Sequence, residues 1–124
     1  MKPPANSELK ISISEIEHGI RHKNIMLNEK NTEYSRFVEI RAQAKRFWQV
    51  ARSKAMFEST DIPVTIRKSH VEGDREVSKL EMKYEIALGV EKACLESMKD
   101  LRSQIDIYRS LLSWKKAETF NPTI

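Results

Sequence analysis

The sequence predicts an all-α protein: a helical hairpin with one long C-terminal helix, assembling through helix packing into an oligomer that can close into a ring. Three observations lead there. Eleven positions step by alternating threes and fours without a slip: Val77, Leu80, Tyr84, Ala87, Glu91, Cys94, Met98, Leu101, Ile105, Tyr108 and Leu112. All but Glu91 are apolar, which is the period of a helix that buries a seam against other helices. The chain has 124 residues, 32% charged and only 7% aromatic, enough for one domain of long helices with a modest core. Breakers are scarce in the centre, where only Pro63 and Gly73 interrupt.

Taken in order, residues 1–13 read as a disordered tail, with Pro3 and Pro4 in it. A single helical domain then spans 14–120. Ser14 and Glu17 have capping-box spacing, so a first helix is expected over about 14–28, with Ile16, Ile20 and Leu27 on one side. Gly19 and the polar stretch Asn28–Thr32 weaken it, and a break or kink is expected near Asn31. A second helix over about 32–57 carries the seam Phe37, Ile40, Ala44, Phe47 and Ala51. Residues 59–73 form the connector. Pro63 and the β-branched run Ile62, Val64, Thr65 and Ile66 suit extended chain there. Gly73-Asp74 reads as a stop followed by the N-cap of the last helix, over about 74–117. That helix would run roughly 65 Å at 1.5 Å per residue.

The early seam, Val77 to Ala87, would close the hairpin onto Phe37–Ala51. The later seam has no long partner left in the chain; the N-terminal helix could cover part of it, and copies of the same chain are the more natural cover. Cys94, Met98, Leu101, Ile105, Tyr108 and Leu112 are therefore the candidate oligomerisation residues, because burying a continuous apolar stripe drives helices together. Glu91 either sets register or marks where the hairpin partner ends and the seam meets water; the second account is preferred.

Enzyme chemistry is not expected. There is no glycine-rich phosphate loop and no nucleophile–base set. Cys94 is the only cysteine, which excludes an internal disulfide, and its seam position suits a small buried apolar residue. His18 and His22 sit four apart, a metal-compatible spacing without a third ligand, so neither metal nor cofactor is expected. No membrane span or signal core is evident, which gives the cytoplasm as the default compartment.

Charge is more informative. The net charge is +4, yet Arg41–Lys54 holds five bases and no acid, whereas Glu72–Asp106 holds nine acids and six bases. Arg41, Lys45, Trp48 and Arg52 step by four, three and four, which places them in one helical stripe. Cations that meet phosphates beside an aromatic face suit single-stranded nucleic acid. Arg67, Lys68 and His70 in the connector could extend the stripe, while Arg46 and Lys54 point away from it. A solvated basic face with Trp48 packed on a neighbouring helix is the plain alternative.

One segment reads Glu72-Gly73-Asp74-Arg75-Glu76-Val77-Ser78-Lys79-Leu80. The last helix ends Leu101-Arg102-Ser103-Gln104-Ile105 and then Leu112-Ser113-Trp114-Lys115-Lys116, with Phe120 beyond. From Tyr34 to Phe120 this layout resembles the small phage recombination mediators of the UvsY type. The resemblance implies a helical protein forming rings of six or seven subunits. It also implies binding to single-stranded DNA and the loading of a RecA-like recombinase onto strands coated by a single-strand-binding protein. By position it carries DNA contact onto Arg52 and Lys54, with Arg67 and Lys68 as further equivalents. The chain departs from the family's Tyr-Tyr-x-Gly-like helix end, reading Ala55-Met56-Phe57-Glu58. The expected DNA-binding set is thus Arg41, Lys45, Trp48, Arg52, Lys54, Arg67 and Lys68. The rival expectations are a coiled-coil adaptor or inhibitor acting on a protein partner, and a phage packaging or assembly component.

Overall fold

A computed structural model describes residues 11–120. The chain forms α1 (Ile13–Glu58), α2 (Val64–Glu72) and α3 (Arg75–Phe120), with no strand among the described residues. The all-α hairpin with a long C-terminal helix is what the structure shows. Ten of the thirteen residues expected as a disordered tail lie outside the described residues.

Each helix start has a local cause. α1 begins two residues before the expected cap: Ser12 Oγ accepts the Glu15 amide at 3.1 Å, so Ser12 is the N-cap. Helix α1 then continues through Asn28–Thr32, where a break was expected. Asn and Thr cost well under about 1 kcal/mol each in a helix interior, and no proline or glycine stands there to enforce a stop. Thr32 instead folds its hydroxyl onto the Asn28 carbonyl at 3.3 Å, spending its polar group on the helix itself.

The connector is also more ordered than its composition suggests. Instead of an extended chain, Val64–Glu72 is helical. Pro63 sits at its N-cap position with φ −52°, and its carbonyl accepts the Ile66 and Arg67 amides at 3.1 and 3.0 Å. Proline's fixed φ suits a helix start, and β-branched preference yields to that context. Val71 is buried, which ties α2 down. At Gly73 the helix stops as expected. Asp74 Oδ1 then accepts the Glu76 and Val77 amides at 2.9 and 3.0 Å, capping α3.

The chain divides into two compact units. One joins α1 up to Thr32 with α3 from Glu96 onward. Its helices pair antiparallel. A Cβ at Gly19 would lie 3.5 Å from the Tyr108 ring, and Lys23 Nζ donates to Gln104 Oε1 at 2.6 Å. Ile16, Met98, Leu101 and Ile105 are its buried apolar residues. The other unit, Glu33–Leu95, contains the rest of α1, all of α2 and the start of α3. Val71, Val77, Ala87 and Cys94 are its buried apolar residues.

All eleven seam positions of α3 are buried or half-buried. The assignment of their later part to subunit contacts changes, however. Cys94, Met98, Leu101 and Ile105 are buried within the chain, and Tyr108 and Leu112 are half-buried. From Met98 onward the reason is the first part of α1: its first twenty residues are helical and lie in the same unit as this stretch of α3, which they cover in place of a second copy.

Candidate nucleic-acid interface

The basic stripe lies on the second half of α1, inside the unit Glu33–Leu95, and its geometry depends on one acid of α3. Glu91 is 8% exposed, at a position where its neighbours in the seam are apolar. A carboxylate taken out of water without a partner is costly, by several kcal/mol or more. Arg41 supplies the partner with a two-pronged contact: Nε to Oε2 at 2.8 Å and Nη2 to Oε1 at 3.2 Å. Those hydrogen bonds hold the Glu91 carboxyl below the usual carboxylate range, against the opposing pull of burial. The same contact raises Arg41 above its ordinary value. Glu91 is therefore paired, and the account in which it marks a solvated end of the seam is corrected.

The rotation of α1 accords with this pairing. The half-buried positions of this part of α1 include Tyr34, Phe37, Arg41, Ala44, Trp48, Ala51 and Ala55, again at steps of three and four, with Glu33, Val38, Arg52 and Met56 flanking them. Ile40 and Phe47, expected in the seam, are instead 46% and 55% exposed. Trp48 takes the inward place and stacks on Tyr84, with ring centroids 5.5 Å apart and planes within 15°. Its Nε1 is buried without a hydrogen-bond partner. An indole in this position has its faces committed within the fold.

The seven expected DNA-binding residues therefore separate. Arg41 is spent on Glu91, and Trp48 on Tyr84. Arg67 Nη2 donates to the Ile62 carbonyl at 2.9 Å and the Thr60 carbonyl at 3.3 Å, bracing the turn before α2. Arg52 is half-buried with its guanidinium 5.9 Å from the Trp48 ring centroid, beside an open depression bordered by Gln49, Ser53 and Met56. Lys45, Lys54 and Lys68 are exposed.

Residues outside the expected set also reach solvent here. Arg46 is exposed, and so are Val50 at 61% and Phe57 at 79%. With Phe47 and Lys54 they occupy roughly 100° of helix circumference, given 3.6 residues per turn. On the same side, the groove between α1 and α3 is lined by Ile40, Gln43, Phe47, Leu80 and Lys83, among others. The signal that would have found this face was present in the sequence: an acid at a seam position calls for a cation opposite, and placing Arg41 there turns Phe47 outward.

Elsewhere the structure offers less chemistry. His18 and His22 are exposed, and no group of three or more His, Cys, Asp or Glu side chains able to hold a metal ion gathers among the described residues. No described helix is long and apolar enough to cross a membrane. No protein-family model, no curated protein and no solved structure matches the chain.

Proposed function

We propose that this protein is a non-enzymatic recombination mediator, which binds single-stranded DNA and helps load a RecA-like recombinase onto it in the presence of a single-strand-binding protein. One observation carries the DNA-binding part: from Ile40 to Phe57, α1 has five bases and no acid. Of these, Lys45, Arg46 and Lys54 are exposed, with Arg52 half-exposed. Arg41 alone is neutralised, by Glu91. Arg46 and Lys54 share one arc of the helix, with Lys45 and Arg52 on the other side, and an exposed cationic arc attracts a phosphate backbone by releasing its counterions. The loading role rests on the likeness of the Glu72–Leu80 and Leu101–Lys116 segments to UvsY-type mediators. Self-association belongs to the same proposal, and several copies engaging one strand would multiply weak contacts.

The test is the affinity for a fluorescein-labelled oligo-dT by anisotropy across a salt series. Three phosphate contacts, from Arg46, Lys54 and Lys83, give a slope of about −2 in log affinity against log salt, at about 0.7 per contact for single strands. Arg46→Glu with Lys54→Glu abolishes binding without changing the helical content. Absence of binding by the native chain at low salt sinks the proposal.

A protein-directed adaptor is favoured by one feature, the exposed Val64 and Ile66 of α2, at 75% and 55%. Substituting both by serine separates the two: an adaptor loses its partner, whereas strand binding is unaffected.

A further inference from the structure

The residue that composition nominates for base stacking, Trp48, is turned toward Tyr84. Two other aromatic rings on the same helix are turned further toward solvent, with Phe47 at the edge of the groove that Leu80 and Ala87 of α3 also line. Phe57 is 79% exposed and Phe47 is 55% exposed. They stand ten residues apart, about 15 Å along the helix axis. Between them lie Val50, 61% exposed, and the exposed Lys54, and Arg46 precedes Phe47 on the same arc. Lys83 of α3 lines the groove beside Phe47, and no carboxylate lines that groove. The nearest acids of α1 are Glu39 and Glu58, beyond the two ends of the stripe.

We propose that this outward stripe, Arg46–Phe47–Val50–Lys54–Phe57 with Lys83 beside it, is a platform on which unpaired bases stack, Phe47 and Phe57 taking the bases and the cations taking the phosphates. The proposal rests on the assignment of the chain as a single-strand binder and names the surface that does it. Large apolar side chains grouped with cations on one exposed arc mark an interaction surface. A second copy presenting the same stripe would gather Arg46 and Lys54 from both chains into one interface, and like charges brought together there are costly. An unpaired nucleic-acid strand supplies both what the rings lack and what the cations lack: flat π-faces at intervals along a polyanion. A duplex hides its base faces and supplies only the second.

The experiment uses the full chain with oligo-dT carrying 2-aminopurine, whose fluorescence is quenched by stacking. The variants are Phe47→Leu, Phe57→Leu, the corresponding tyrosine substitutions and Lys54→Gln. Since both rings are exposed, melting temperatures stay near that of the native chain. Each leucine variant binds about 5- to 150-fold more weakly, loses quenching and keeps the native salt slope. The tyrosine variants bind nearly as the native chain does. Lys54→Gln lowers the salt slope by about 0.7.

Leucine variants that bind and quench as the native chain does, while the native chain binds, overturn the stacking platform and leave strand binding to the cations. If the native chain itself does not bind, both the platform and the function proposed above fall. If Phe47→Leu dissociates an oligomer without altering strand affinity, the stripe is an interface between copies, and the platform is again overturned.

Discussion

Asn31→Pro tests the feature on which the packing of the first unit depends, the continuity of α1. Asn31 is exposed and lies eighteen residues into a helix of 46. A proline there removes the bond from the residue-31 amide to the Leu27 carbonyl, and its ring collides with that carbonyl. The cost in a helix interior is about 3 kcal/mol. With an unfolding entropy near 2.1 cal/mol/K per residue over 124 residues, that corresponds to a melting temperature lower by roughly 10 °C. The assay is urea unfolding followed by circular dichroism at 222 nm, with melting measured in parallel. Thr32→Ala is the control: it removes the hydroxyl that bonds the Asn28 carbonyl, leaves the helix ladder intact, and changes stability by less than about 0.5 kcal/mol. A proline variant within about 1 kcal/mol of the native chain refutes the continuous helix. It would restore the break near Asn31 and leave the seam from Met98 to Leu112 in need of other cover.

Further outcomes follow from single positions. Gly19→Ala stabilises the chain by about 0.5–1 kcal/mol, because it raises helix propensity and its Cβ meets the Tyr108 ring at an ordinary contact distance of 3.5 Å. Gly89→Ala, with nothing within 4 Å, gives a similar gain, and a loss at either site by urea titration contradicts the packing described. Met98→Ala costs about 2–5 kcal/mol as a core truncation, whereas Ile107→Ala, at a site 60% exposed, costs under about 1 kcal/mol; equal effects would misplace the seam. Glu91 has a folded-state pKa depressed by Arg41, so its contribution is complete above the ordinary carboxylate range and is lost as pH falls through the folded value. The stability gap between the native chain and Glu91→Gln is therefore widest near neutrality and narrows toward pH 3, and a gap independent of pH argues against the ion pair.

The long seam of α3 was legible because eleven positions kept one period, and periodicity reports burial directly. The cap at Asp74 was legible because Gly-Asp before an apolar run has few other uses. The rotation of α1 was harder to see. Its sequence carries two stripes of similar strength, one through Ile40 and Phe47 and one through Arg41 and Trp48, and hydrophobicity alone selects the first. The choice depends on what stands opposite, and the opposing group is Glu91, fifty residues beyond Arg41. The connector misled for a related reason. Ile62, Val64 and Ile66 are extended formers by local preference, but a proline start, the Arg67 brace and the burial of Val71 draw the segment into α2.

Glu91 consequently links the fold to the proposed function. Without an acid in the seam, α1 would gain most by burying Ile40 and Phe47 against α3. Arg41 and Trp48 would then face water, and the cation–indole stripe legible in the sequence would be the surface on offer. With Glu91 present, an unpaired carboxylate is the larger cost, so Arg41 turns inward and Trp48 follows it one helical repeat later to meet Tyr84. Phe47 is left outward in consequence, on the same arc as Arg46, Lys54 and Phe57. A seam substitution that removes the charge, Glu91→Leu, should therefore act at a distance. It favours the rotation that buries Phe47 and frees Trp48, and tryptophan emission, which shifts to the red as an indole becomes solvated, would report it. If the emission stays at its native wavelength, the aromatic stack on Tyr84 sets the rotation of α1 and the ion pair only accompanies it.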